Sequence, residues 1–250
     1  MSASDTFSGK IVLVTGANRG IGAATVRELL KTKAAKIYAT ARKTASLPDF
    51  GDARVHAIAL DITDEASIKA AHAQTADTDI LINNAGTATF GDLLDASVET
   101  VTKDFGTNIF GTLNVIRTFA PGFKTKRAGT IVNVLSVVGL TAAPGLPGYS
   151  ASKAALQSLT QSFRATLKPF GVTVLGVYPG PIDTDMAKDL PWDKATPEHA
   201  AQKIVAGIQA GETHIFPDPL SEQVAHLWRT DGLALDSVLA ERAEDAAEAA

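Results

Sequence analysis

Seven short runs of β-branched and apolar residues recur along the chain, and longer alanine-rich stretches with helical spacing separate them. The runs are Lys10–Thr15, Lys36–Ala41, Val55–Leu60, Ile80–Asn83, Gly129–Leu135, Val172–Tyr178 and Thr213–Phe216. Between them lie Ala23–Leu30, Glu65–Gln74, Val98–Ala120, Ser150–Lys168 and Pro197–Ala210. Strands that are apolar throughout belong in a sheet covered on both faces. Helix-length connections imply parallel neighbours joined by right-handed crossovers. The predicted fold is therefore α/β: three layers, doubly wound, around a mainly parallel seven-stranded sheet. The link from Ala41 to Arg54 carries Pro48 and Gly51, so a helix there is short or missing. Residues 1–232 read as one domain, and 233–250 as an acidic, alanine-rich tail.

Composition excludes several function classes. An apolar fraction of 45% and a charged fraction of 20% suit a globular chain with a buried core. With no cysteine there is no disulfide framework, thiolate metal site or cysteine nucleophile. The net charge is −4 and the basic residues are scattered, which argues against a nucleic-acid partner. No stretch approaches the roughly 18 apolar residues of a membrane span. Met1 to Lys10 is polar, without an apolar signal core, so a cytoplasmic location is expected.

The first run leads straight into Thr15-Gly16-Ala17-Asn18-Arg19-Gly20-Ile21-Gly22 and then a helix. Strand, glycine-rich turn and helix N-terminus make a pyrophosphate site: glycines admit close backbone approach, and free N–H groups attract the anion. Gly16, Asn18, Arg19, Gly20 and Ile21 are the candidates there, in a Rossmann-type arrangement. About 20 residues on, where an acidic residue reads the ribose of NAD, the second strand ends Thr40-Ala41-Arg42-Lys43. Arg42 offers charge-assisted hydrogen bonds to a 2′-phosphate, and Arg19 approaches from the turn. Together they favour NADP(H), with NAD(H) as the alternative if both are surface residues.

Tyr149-Ser150-Ala151-Ser152-Lys153 sets a tyrosine and a lysine on one helical face, one turn apart. An ammonium beside a phenol favours the phenolate and is expected to lower its pKa from about 10 toward neutrality. A tuned tyrosine donates a proton to a developing alkoxide. Ser136 follows the strand Ile131–Leu135, at the strand end where open α/β sheets hold ligands.

With these motifs in order, the chain resembles the short-chain dehydrogenase/reductase family of single-domain enzymes. The resemblance rests on Thr15-Gly16-x-x-x-Gly20-x-Gly22, Asn83-Asn84-Ala85-Gly86, Ser136, Tyr149-x-x-x-Lys153 and Tyr178-Pro179-Gly180-x-x-x-Thr184, and covers residues 10 to about 188. It implies that Tyr149 is the general acid/base, that Lys153 binds the nicotinamide ribose, and that Ser136 polarises the carbonyl. It makes Asn108 the helix asparagine that holds a water for proton relay. It sets Asn84, Ala85 and Gly86 beside the adenosine ribose, and Asp61 and Ile62 at the adenine. Pro179 and Gly180 lead to Ile182 and Thr184, which hold the carboxamide. A substrate lid is implied around Pro181–Pro197, with Met186, Leu190 and Trp192 facing Val138, Leu140 and Leu146. Asp183 and Asp185 become helix-start residues, the five histidines form no ligand-spaced cluster, and no metal is predicted.

The implied activity is NADPH-dependent reduction of a ketone or aldehyde, reversible as an alcohol dehydrogenase. The alternatives are an NAD-dependent alcohol dehydrogenase and a non-catalytic dinucleotide-binding sensor. Where relatives carry an aspartate–glycine–glycine segment that helps build a tetramer, this chain has Thr213-His214-Ile215-Phe216-Pro217-Asp218-Pro219. A homodimer through the helices starting near Val98 and Ser150 is therefore expected, with a tetramer also open.

Overall fold

The structure, a computed structural model, describes residues 6–190, 192–235, 238 and 241. Seven strands form one sheet: β1 (Ile11–Val14), β2 (Lys36–Ala41), β3 (Val55–Ala59), β4 (Ile80–Asn83), β5 (Gly129–Val134), β6 (Val172–Val177) and β7 (His214–Ile215). Their order is β3-β2-β1-β4-β5-β6-β7, and every pairing is parallel. The helices are α1 (Gly20–Leu29), α2 (Glu65–Thr75), α3 (Val98–Phe105), α4 (Thr112–Lys126), α5 (Pro147–Leu167), α6 (Pro197–Ala210) and α7 (Pro219–Thr230).

Alternate strand residues face opposite layers, which accounts for strands that are apolar throughout. Val12, Val14, Ile37, Ile80, Ile82, Val132 and Leu175 pack against Val26 and Leu29 of α1 and Ile204, Val205 and Ile208 of α6. Leu13, Leu81, Ile131 and Val174 pack the other way, against Ile68 of α2 and Val115, Ile116, Phe119 and Phe123 of α4. The expected three-layer, doubly wound α/β fold is present, and its sheet is parallel throughout.

Two elements differ from expectation. The predicted helix Val98–Ala120 is broken by a π turn, Gly106–Gly111, before α4 continues to Lys126. In place of a helix after β2 there is a single 3₁₀ turn, Thr44–Ser46. Of the predicted tail 233–250, residues 236, 237, 239, 240 and 242–250 lie outside the described residues. Leu235, by contrast, is buried, and its carbonyl accepts a hydrogen bond from the Thr141 hydroxyl. Among the described residues, no helix is long and apolar enough to cross a membrane.

At the β7 edge, His214 sits beside Tyr178 and Trp228, with ring centroids 5.8 Å and 5.3 Å away. Burial, and then the charges of Arg164 and Arg229, hold its pKa below the ordinary value of 6.5. The unfolded chain therefore takes up this proton first as pH falls, so the contribution to stability is complete above 6.5 and is lost below it. Thermal unfolding followed between pH 7 and 5 should show a falling Tm, and His214→Gln should flatten that decline.

Candidate active site

All seven strands point their C-terminal ends to one edge, and the site is assembled there. Gly16 and Gly20 open the turn after β1 with φ of 65° and 54°, a region where a side chain is strained. The Thr15 hydroxyl accepts from the backbone N–H groups of Asn84 (2.9 Å) and Ala85 (3.0 Å). In return, Asn84 Nδ2 donates to the carbonyls of Thr15 (3.0 Å) and Gly16 (3.1 Å). The turn is thus fastened to the segment after β4, and a β-carbon on Gly16 would lie 2.9 Å from Ala85 Cα. Asn84 therefore braces the turn, with its amide nitrogen engaged by backbone.

Arg19 is the N-cap of α1, in extended conformation, and its side chain makes no capping hydrogen bond; the first turn of α1 holds no acidic residue. The helix thus begins with amides that no side chain caps, as a phosphate requires. The cradle fits a dinucleotide: Gly20 closes against Thr184, where a β-carbon would meet Cγ2 at 3.0 Å, and a β-carbon on Gly86 would lie 3.0 Å from Asn108 Oδ1 and 3.7 Å from Lys153 Nζ. Asn18 and Ile21 are half-buried in this turn.

Arg42 is exposed immediately after β2. Asp61, after β3, is held below the usual carboxylate range mainly by hydrogen bonds from Thr63, and further by the charge of Arg42. Arg42 and Asp61 are therefore neighbours. Arg19 instead reaches across to Asp185, at 2.8 Å, in an exposed ion pair. Ile62 is buried and packs under Gly111 of the π turn. Its side chain belongs to the core.

The residues expected to carry the chemistry come from the end of β5 and from α5. Ser136 caps the short turn Val137–Gly139, its hydroxyl accepting from Val138 N–H and donating to the Pro179 carbonyl at 3.1 Å. Tyr149 lies in the first turn of α5, with the Ser136 side chain near enough to draw down its pKa. Lys153 is buried; its Nζ donates to the Val134 carbonyl at 2.8 Å and stands 5.5 Å from the centre of the Tyr149 ring. The ammonium faces the ring rather than the hydroxyl. Burial therefore decides both pKa values. It pushes Tyr149 up to about 12, against the pull of the nearby Ser136 side chain, and Lys153 down to about 8. The expected lowering of the phenol by Lys153 is reversed, because desolvation outweighs a charge set over the ring.

Asn108 sits in the π turn, a register slip that turns its side chain inward. Its Oδ1 accepts from Thr87 N–H at 2.9 Å, and its Nδ2 donates to the Thr87 carbonyl and to Ser152 Oγ, each at 2.9 Å. The amide thus joins the loop after β4 to α5. Ile182 pairs with Ala195 in a parallel bridge that ties together the two ends of the segment expected to form a lid. Val138, Leu146 and Trp192 share one apolar cluster with Leu140 and Tyr149. Met186 is 38% exposed and stands apart from that cluster. Asp183 and Asp185 start no helix; α6 begins at Pro197 with Thr196 as its cap.

Sequence reading passed over four residues of this framework: Thr87, Asp104, Ser152 and Asp218. Asp218 caps α7 and also accepts from Gly180 N–H at 2.7 Å, tying the Pro179–Gly180 loop to the last helix. An Asp-Pro-x-Ser helix start, Asp218 to Ser221, was the available signal. Nothing local marks the other three.

The sequence pattern of the short chain dehydrogenase family matches residues 10–195. The chain is 33% identical over 238 residues to the uncharacterized oxidoreductase YusZ of Bacillus subtilis, covering 87% of this chain and 84% of that protein. It is 36% identical over 191 residues to the 3-oxoacyl-[acyl-carrier-protein] reductase FabG of Vibrio harveyi, covering 74% and 78%. Among solved structures it is similar to a short chain dehydrogenase from Burkholderia cenocepacia in complex with NADP, with a TM-score of 0.87 and 36% identity over 93% of this chain and 98% of that one. Because Asn84 holds two carbonyls of the turn, Asn84→Ala should weaken dinucleotide binding about tenfold or more. It should also cost about 1–3 kcal/mol of stability, read by fluorescence titration and by denaturant unfolding.

Proposed function

The chain belongs to the short-chain dehydrogenase/reductase family, and we propose that it exchanges a hydride between NADP(H) and a ketone or aldehyde, with Tyr149 as the proton donor. One observation carries this reading: Tyr149 and Lys153 lie one turn apart on α5 with the Lys153 ammonium over the Tyr149 ring, and Ser136 follows the end of β5 near enough to act on the phenol. Gly16, Asn18, Arg19, Gly20 and Ile21 hold the pyrophosphate in this proposal. Ala85, Gly86, Lys153, Gly180, Ile182 and Thr184 line the path to the nicotinamide. A bound nicotinamide supplies the hydride.

The chain's own groups handle the oxygen. Burial keeps the Tyr149 phenol protonated at neutral pH, as a proton donor must be. Ser136 turns its hydroxyl from Pro179 to the substrate oxygen and fixes it beside the phenol. As negative charge develops on that oxygen, Tyr149 gives up its proton. The Lys153 ammonium over the ring stabilises the phenolate left behind, which recovers a proton from solvent. Val138, Leu146 and Trp192, packed with Tyr149, favour an apolar carbonyl substrate.

Arg42, exposed where an NAD site carries an acidic residue, supports a 2′-phosphate, and the Burkholderia cenocepacia relative binds NADP. The engagement of Arg19 by Asp185 favours a second reading, an NAD-dependent alcohol dehydrogenase. Comparing turnover with NADPH and NADH across ketones, aldehydes and quinones separates the two. Leu94, Val98 and Phe110, exposed along the α3 side, support assembly as a homodimer.

Tyr149→Phe should lower kcat by about 10²–10⁴-fold while dinucleotide affinity changes little. No turnover by the wild type over that panel, despite tight NADPH binding, would point to a sensor. Arg42→Asp should weaken NADPH about tenfold or more and leave NADH binding nearly unchanged; an unaltered preference removes the phosphate assignment.

A further inference from the structure

Asp104, on α3, is fully buried, and none of the ion pairs among the described residues involves it. A buried carboxylate without a cation is costly unless several donors serve it. Here Thr87 Oγ1 donates to Oδ1 at 3.0 Å, and Thr89 N–H and Oγ1 donate to Oδ2 at 3.0 Å and 2.6 Å. All three donors lie in the loop that follows Gly86. The carboxylate also abuts α5: a β-carbon on Gly148, the neighbour of Tyr149, would lie 3.1 Å from Oδ2.

The bonds continue from that loop to the reacting group. Thr87 exchanges two backbone hydrogen bonds with the Asn108 side chain, Asn108 donates to Ser152 Oγ, and Ser152 Oγ donates to the Tyr149 carbonyl at 2.8 Å. We propose that Asp104 is a positioning residue of the reaction: its carboxylate clamps Thr87 and Thr89, sets the loop and the start of α5 at a fixed separation, and gives the Tyr149–Lys153 pair a buried negative charge. This rests on the reading of Tyr149 and Lys153 as the proton-handling pair.

The charge acts on that pair directly, since Asp104 raises the pKa of both Tyr149 and Lys153. From the elements around them, the loop Gly86–Thr89, the π turn and the Ser136 turn contribute no titratable side chain. On α3, Glu99 and Lys103 are exposed to solvent. Asp104 thus opposes the lowering that burial imposes on Lys153. Asp104→Asn preserves size and acceptor oxygen but removes the charge, whereas Asp104→Ala removes the clamp as well.

The test reads the Lys153 ¹³Cε resonance against pH, assigned by its loss in Lys153→Met, alongside the alkaline limb of the kcat profile. Asp104→Asn should lower both midpoints by about half a unit or more with amide exchange of residues 84–90 unchanged. Asp104→Ala should add faster exchange at Thr87 and Thr89 and a kcat about tenfold lower or worse. Midpoints in Asp104→Asn that superimpose on wild type overturn the proposal even if the rate falls, because a merely structural role slows turnover without moving them. Unchanged exchange in Asp104→Ala overturns the clamp. A shifted resonance in a protein that reduces no carbonyl upholds the placement of Asp104 and refutes the reductase reading instead.

Discussion

Parallel pairing of all seven strands governs everything else in this molecule. It sends each chain crossover back through a helix, so both faces of the sheet are covered and strand residues of either parity are buried. It also brings the ends of β1, β2, β3, β4, β5 and β6 to one edge, where loops from distant parts of the chain become neighbours. Thr15 and Asn84 show how tightly: each side chain satisfies backbone groups of the other's segment. The cradle is a property of two strand ends held side by side. The glycines allow that approach, and the hydrogen bonds maintain it.

Behind this edge the interior is unusually polar. Asp104, Asn108, Asn133, Ser152, Lys153 and Thr160 are all buried, and each has a hydrogen-bond partner in the protein. Asn83 donates to Asn133, and Asn133 to Thr160, carrying polarity beneath the strands as well. Each such group costs several times more when orphaned than its bond contributes when made. The arrangement therefore penalises small misplacements steeply. That is a physical reason for reactive groups to sit on α5 with backbone carbonyls as their partners, since Val134 O cannot move without β5.

Much of this was legible in the sequence. The apolar runs mark the strands to within a residue or two, because the central strands are buried on both faces and hold few polar residues, such as Asn83 and Asn133. The glycine turn, Ser136, Tyr149 and Lys153 were visible because their spacing is local and their residue types are demanding. What failed to show depends on the surroundings. Val98 to Ala120 reads as one helix, since a π turn at Asn108 keeps helical spacing on either side. The sign of the Tyr149 shift is not legible, because sequence gives proximity to Lys153 but not the depth of burial or the ring-face geometry. Asp104 looks like any exposed helix aspartate until the loop from Thr87 to Thr89 is folded over it. Arg19 points as readily to a phosphate as to Asp185, and only coordinates reveal the latter contact.

The bridge between Ile182 and Ala195 bears on how such a fold diversifies. Ala195 N–H donates to the Pro181 carbonyl, and Asp183 N–H to the Ala195 carbonyl, so both ends of the intervening segment are stitched to each other. A loop closed at its base is a cassette. Residues can be inserted, deleted or exchanged within it at a small entropic penalty that grows only logarithmically with length. The anchor confines such a change to the segment, but three contacts carry it outward: Thr184 against Gly20, Asp185 on Arg19, and Trp192 in the same cluster as Tyr149. A substitution between them can vary freely, whereas one at Thr184, Asp185 or Trp192 is felt by the glycine turn or by α5.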